Sequence, residues 1–164
     1  MPVLPPSFYA RPALQVARAL MGQRLVVRAG GALRSGRIVE TEAYLGPHDL
    51  ACHSSKGRTA RTEVMFGPPG HAYVYLVYGM HYCFNVVTGN GAAVLIRALE
   101  HVEGPGRLTR AMGLDLSHNA QPLRGPKVWL EPDLPIRRVQ RGPRVGVDYA
   151  GPWARKPYRF FLPV

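Results

Sequence analysis

Acidic residues are scarce in this chain. It has 10 Asp and Glu against 21 Lys and Arg, a formal net charge of +11 over 164 residues. So large an imbalance in so short a chain favours a polyanionic partner over a surface that merely keeps the protein dissolved. Lysine is scarce as well: Arg outnumbers Lys 18 to 3. The planar guanidinium grips phosphate with two parallel hydrogen bonds, where an ammonium acts as a point charge. Only two cysteines occur, Cys52 and Cys83. They make no disulfide framework and point to a reducing compartment. No apolar run approaches the roughly 20 residues of a membrane span. The first six residues, Met1 to Pro6, have neither a basic start nor an apolar signal core. A soluble, intracellular protein is expected, cytoplasmic (at the bacterial nucleoid) or nuclear, with no membrane partner.

Several catalytic signatures are also missing. There is no Ser-His-Asp arrangement, no Walker loop, no dinucleotide fingerprint and no zinc-deaminase pattern. What is present is enough apolar content, 46%, to bury a real core, and a length that suits one domain over 1–164.

The punctuation of the chain predicts its elements. Residues 1–10 read as an extended, Pro-rich arm. Leu14, Val16, Ala17, Leu20 and Met21 recur at close to helical spacing, between Pro12 and Gly22. Strands are expected at 23–28 and 33–41, joined across Gly30-Gly31. A polar loop, 46–70, follows, long enough to be functional or disordered. Strands at 71–77 and 82–87 meet at Tyr78-Gly79-Met80-His81, and Gly89-Asn90-Gly91 leads into a third at 93–98. A short helix is expected at 107–112, a loop at 115–126, and strands near 128–130, 144–147 and 158–162. The fold class is α+β: an antiparallel-rich, curved sheet, few helices and a protruding β-hairpin.

With so few acids, candidates for a general base are few. Strand alternation puts Ile38, Glu40 and Glu42 on one face and Val39 and Thr41 on the other. Tyr44 follows where this strand enters the long loop, and catalytic groups favour such strand ends. Tyr73, Tyr75 and Val77 share a face of their strand, either as ordinary sheet packing or as a platform for flat bases. Tyr78 opens a Tyr-Gly turn, so its ring is expected to be exposed, with Met80 beside it. An aromatic at a hairpin tip suits wedging into a duplex, or a partner interface. Arg97 lies in an apolar strand and needs a carboxylate or phosphate partner; Glu40, Glu42 and Glu100 are the nearest acids in sequence. Gly104-Pro105-Gly106-Arg107 could bind phosphate at a helix start, a weak signal. His48, Asp49, Cys52 and His53 could be read as a metal cluster, but the paired spacing of structural zinc sites is absent. No metal and no cofactor are expected.

These residues closely resemble the methylpurine-DNA glycosylase (alkyladenine DNA glycosylase) family. The matching stretches run from Gly36 to Pro47 (Gly-Arg-Ile-Val-Glu-Thr-Glu-Ala-Tyr-Leu-Gly-Pro), then His53-Ser54, Met65-Phe66, Pro69-Gly70, Tyr73-Val74-Tyr75 and Tyr78-Gly79-Met80. Asn85, Arg97-Ala98-Leu99-Glu100, Gly104 to Leu108, Arg144 to Val147 and Trp153 to Pro157 continue in order. The resemblance covers nearly the whole chain. It implies a monofunctional base-excision repair enzyme, a monomer, acting on double-stranded DNA that contains alkylated or deaminated purines. Such an enzyme flips the damaged purine out and hydrolyses its N-glycosidic bond. By the same resemblance Glu42 is the base that activates water, and Arg97 and the Val145 carbonyl hold that water. Tyr44, His53 and Tyr75 enclose the flipped base, with Tyr73 in the same pocket. Tyr78, with Met80, fills the vacated space, and Asn85 crowds the exocyclic amino group of guanine. Arg97 is expected to keep Glu42 ionised. Two departures from the family are a shortened stretch between Glu100 and Gly104 and an early stop at Val164; neither touches the pocket motifs. Two readings compete: a nucleic-acid-binding module without turnover, and a metal-dependent hydrolase built on His48, Cys52 and His53.

Overall fold

The computed structural model describes residues 2–163. Helices α1 (Pro6–Tyr9) and α2 (Ala13–Leu20) open the chain. Strands β1 (Arg24–Ala29), β2 (Ala32–Tyr44), β3 (Ala72–Val77), β4 (His81–Gly89), β5 (Ala92–Leu99) and β6 (Val102–Glu103) follow. Helix α3 (Pro105–Met112) then leads to β7 (Val128–Glu131), β8 (Gln140–Gly142) and β9 (Arg159–Phe161). The strands form one curved antiparallel sheet in the order β3-β4-β5-β2-β1-β7, with β6 on β5, β9 on β2 and β8 on β9. The predicted α+β class and protruding hairpin are both present.

The 13-residue β2 organises the sheet. Its first half pairs with β1, its second half with β5 on one side and β9 on the other. Helix α2 covers the opposite face through Ala13, Val16, Ala17 and Leu20, all buried in the main core with Leu25, Ile38 and Ile96. The Thr41 hydroxyl, itself buried, donates to the Ala17 carbonyl at 2.9 Å and ties β2 to this helix.

The simple alternation expected for β2 does not hold. The ladder between β2 and β5 shifts register twice, between Ile38 and Glu40 and again between Glu40 and Thr41. Val39 is the extra residue on one strand and Arg97 on the other. Bulges of this kind re-aim side chains. Ile38 thus joins Thr41 and Ala43 on the core side, while Glu40 and Glu42 turn to the concave side.

Other departures have local causes. The 1–10 arm is not wholly extended: Pro6 starts a helical turn, and Tyr9 is buried in the core at 1% exposure. No strand forms at 144–147, because Pro143 lacks an N–H and Gly146 is left-handed (φ 76°); β8 lies just before it. The 46–70 loop is ordered by 3₁₀ turns at His53–Lys56 and Glu63–Phe66. A third lies at Leu116–His118 and a kinked fourth at Asp148–Arg155.

Candidate active site

The β3–β4 hairpin, the end of β2, the middle of β5 and the 144–149 loop surround a cavity of about 370 Å³. Of the residues that the family resemblance gives a role, all but Met80 line it: Glu42, Tyr44, His53, Tyr73, Tyr75, Tyr78, Asn85, Arg97 and Val145. Met80 lies on the outer side of the hairpin, 66% exposed. A larger cleft, about 740 Å³, lies between the α1–α2 region and the 88–90 turn. No carboxylate lines it, so it offers no general base.

Glu42 is the only carboxylate in the smaller cavity's lining. It is fully buried (0% exposed) and hydrogen-bonded at both oxygens. Tyr44 donates its hydroxyl to Oε1 at 2.8 Å, and the Val145 backbone N–H donates to Oε2 at 2.7 Å. The Val145 N–H thus binds Glu42 directly, a contact distinct from the role toward water expected of its carbonyl. Burial raises the Glu42 pKa above the usual carboxylate value; Arg97 and the two hydrogen bonds pull the other way without cancelling it. Arg97 thus acts in the expected direction, favouring the ionised form, but burial outweighs it. Its Nε donates to Glu40 at 2.9 Å, while Glu42 Oε2 lies 3.8 Å away.

The aromatic residues divide into walls and supports. His53 and Tyr75 have ring centroids 4.5 Å apart, tilted by 60°. Tyr73, 2% exposed, hydrogen-bonds its hydroxyl to His53 Nδ1 at 2.9 Å and fixes that ring. One face of Tyr44 is covered by the Arg144 guanidinium at 4.9 Å. Arg144 is in turn locked by Asp49, with two contacts at 2.6 and 3.0 Å between fully buried side chains. This pair joins the 46–70 loop to the loop that presents Val145. His53 has its pKa lowered to about 4, chiefly by burial and then by Arg61 and Lys56, so its ring is neutral at physiological pH.

Asn85 faces Tyr73 across the β3–β4 ladder. Its amide Nδ2 donates to the Tyr73 carbonyl at 3.1 Å, and the side chain is buried at the cavity floor. Tyr78 is 90% exposed at the hairpin tip. Tyr78 and Gly79 are both left-handed (φ 53° and 65°), and Met80 N–H bonds the Val77 carbonyl at 3.1 Å. These are the marks of a primed hairpin turn, whose twist matches the strands. Helix α3 approaches β4 so closely that a Cβ on Gly106 would meet the His81 ring at 2.9 Å. That approach sets Pro105 in the cavity wall.

The residues weighed as a metal cluster are engaged elsewhere. Asp49 holds Arg144, Cys52 bonds Ser54 and the Gly91 carbonyl, and the His48 ring packs edge-on against Trp153. Among the described residues no three His, Cys, Asp or Glu side chains converge as metal ligands. Sequence reasoning missed Pro105, Cys83 and Tyr149 in the lining. It also missed the Asp49–Arg144 pair, whose members lie 95 residues apart.

A family model described as methylpurine-DNA glycosylase (MPG) matches residues 7–104 and 100–164. The two matches meet at the stretch after Glu100. The chain is 61% identical to a protein of Myxococcus xanthus, over 97% of this chain and 89% of that one. It is 52% identical to one of Anaeromyxobacter dehalogenans, over 97% and 83%, and 51% identical to one of Legionella pneumophila strain Corby, over 97% and 93%. All three bear the name "Putative 3-methyladenine DNA glycosylase". Matches over nearly the full length, together with this fold, place the chain in the methylpurine-DNA glycosylase family.

Proposed function

We propose that this protein is a monofunctional DNA glycosylase that flips alkylated or deaminated purines out of duplex DNA and hydrolyses their N-glycosidic bond with a water activated by Glu42. One observation carries the reading: a single buried carboxylate, Glu42, faces an aromatic-walled cavity beside an exposed wedge.

A base extracted from a duplex needs a pocket and leaves a gap. His53, Tyr75 and Tyr44 line the cavity and offer stacking surfaces. Tyr78 is placed to fill the gap in the stack. Cleavage proceeds through an oxocarbenium-like sugar. Water oxygen bonds to C1′, the C1′–N9 bond breaks, and its electron pair leaves with the base. The water proton passes to Glu42. An alkylated purine already carries positive charge and leaves neutral, whereas a neutral purine such as hypoxanthine leaves as an anion that takes up a proton from solvent, and the proton on Glu42 returns to solvent. The raised pKa of Glu42 makes its ionised form a stronger base. Its donors, Tyr44 hydroxyl and Val145 N–H, fix its orientation. The chain's net charge of +11 suits the phosphate backbone.

The test is incubation of the protein with duplex DNA containing hypoxanthine or 3-methyladenine, in the presence of a chelator. The reading requires release of the free base and abasic sites that break only on alkali treatment. Binding without base release would favour the non-catalytic module, and loss of release on chelation the metal-dependent hydrolase.

A further inference from the structure

We propose that Glu40 is a positioning residue of this site, a second carboxylate that holds the Arg97 guanidinium away from Glu42. The inference rests on Glu42 as the base.

Two carboxylates and two guanidiniums meet on the concave side of β2. Glu40 Oε2 accepts from Arg97 Nε at 2.9 Å and from Arg159 Nη1 at 3.3 Å. Arg97 is the extra residue of its strand at the register shift, which aims its side chain at Glu40. Glu42 Oε2 is left 3.8 Å from Arg97 and takes the neutral Val145 N–H at 2.7 Å instead. Its other oxygen takes the neutral Tyr44 hydroxyl. Every short hydrogen bond to Glu42 thus comes from a neutral donor, although a guanidinium stands within reach.

That arrangement suits a base. A close Arg contact would stabilise the ionised form of Glu42 and weaken its hold on a proton. The groups facing Glu42 from the packed elements are Arg97 on β5, Tyr75 on β3, Cys83 on β4, Tyr44 and Glu40 on β2, and Arg144 and the Val145 N–H on the loop. Arg144 is neutralised by Asp49, and Tyr75 and Cys83 are held neutral by burial. Arg97 is therefore the cation whose position governs Glu42, and Glu40 governs Arg97. A bland alternative is an ion pair that only fastens β2 to β5 and β9. It predicts lost stability without a change in proton affinity at Glu42.

The experiment is the pH dependence of single-turnover hypoxanthine excision. It compares wild type, Glu40→Gln, Arg97→Gln and the double variant. With Gln at position 40, Arg97 is freed to pair with Glu42, and a like charge is lost. The acid limb of the profile should move to lower pH, and the plateau rate should fall roughly threefold to tenfold, less than loss of the base itself. In the Arg97→Gln background no guanidinium can swing across, so the same Glu40 substitution should move the limb much less. An unmoved limb in folded Glu40→Gln, or an equal shift in both backgrounds, overturns the proposal. Should Glu40→Gln not fold, Glu40→Asp keeps the charge one methylene further back and should move the limb the same way by less; no movement is again contrary. Glu42→Gln serves as the control. Wild-type rates in that variant sink the base assignment, whereas a dead Glu42→Gln with an unmoved Glu40→Gln limb sinks only the role of Glu40.

Discussion

Tyr78→Ala separates binding from folding, because its ring packs against nothing in the free protein's core. The ring is 90% exposed in the free protein, so truncating it leaves no cavity, and the stability change should stay within about 0.5 kcal/mol, as for ordinary surface sites. The turn itself does not confuse the comparison. Position 78 is left-handed (φ 53°), and Ala has the same steric objection to that conformation as Tyr. On the proposed reading the ring replaces a purine in the stack of the complex, and one base–aromatic stack is worth about 1–3 kcal/mol. That converts to roughly a 5- to 150-fold rise in Kd. The assay is fluorescence anisotropy at one fixed salt concentration, with a hypoxanthine-containing duplex and its undamaged counterpart. The undamaged duplex, with no base extracted, should lose less, and Tyr78→Phe should bind as wild type. A melting temperature several degrees lower with unchanged Kd would show a packed ring and refute the wedge.

Two further outcomes follow from the pocket and the surface. Asn85→Ser or Asn85→Gly should raise excision of guanine, above all mispaired guanine, relative to hypoxanthine. The buried amide that crowds the cavity floor would be gone. An unchanged guanine-to-hypoxanthine rate ratio in a folded variant, by single-turnover cleavage of matched duplexes, would move the filter elsewhere. Binding to undamaged duplex should weaken with salt at a slope of about −0.9 in log–log form per phosphate contacted. A flat titration would mean that the surplus of 11 positive charges faces some other partner.

Local chemistry made much of the fold legible in sequence. The Gly30-Gly31 and Tyr78-Gly79 turns mark their hairpins, and Tyr73, Tyr75 and Val77 do share a face that lines the cavity. The exposed Tyr78 follows from turn geometry alone. Glu40 and Glu42 do share a face, as alternation gives, but Ile38 does not join them. Period-two counting fails at Val39 and Arg97, because one extra residue on each strand shifts the register and then restores it. A one-residue slip exchanges faces, and no local pattern announced it. The partner of Arg97 could only be narrowed to three acids, and which one wins depends on that slip. The Asp49–Arg144 pair was invisible for another reason: its members are distant in sequence, and only the folded chain brings them to hydrogen-bond distance. Arg144 to Val147 looks apolar and β-branched enough for a strand, yet its backbone serves Glu42 rather than a neighbouring strand.

Single-turnover excision by Glu42→Gln tests most directly whether Glu42 is the base of a glycosidic hydrolysis. The substitution is nearly isosteric, Gln Oε1 can still accept a hydrogen bond, and removing a buried carboxylate charge relieves a desolvation cost. The variant should fold and bind hypoxanthine duplex as wild type does, yet excise at least roughly a hundredfold more slowly, the lower range for loss of a general base. Excision at close to the wild-type rate in that folded, DNA-binding variant would contradict the account, and a larger loss from Glu40→Gln than from Glu42→Gln would transfer the catalytic role to Glu40.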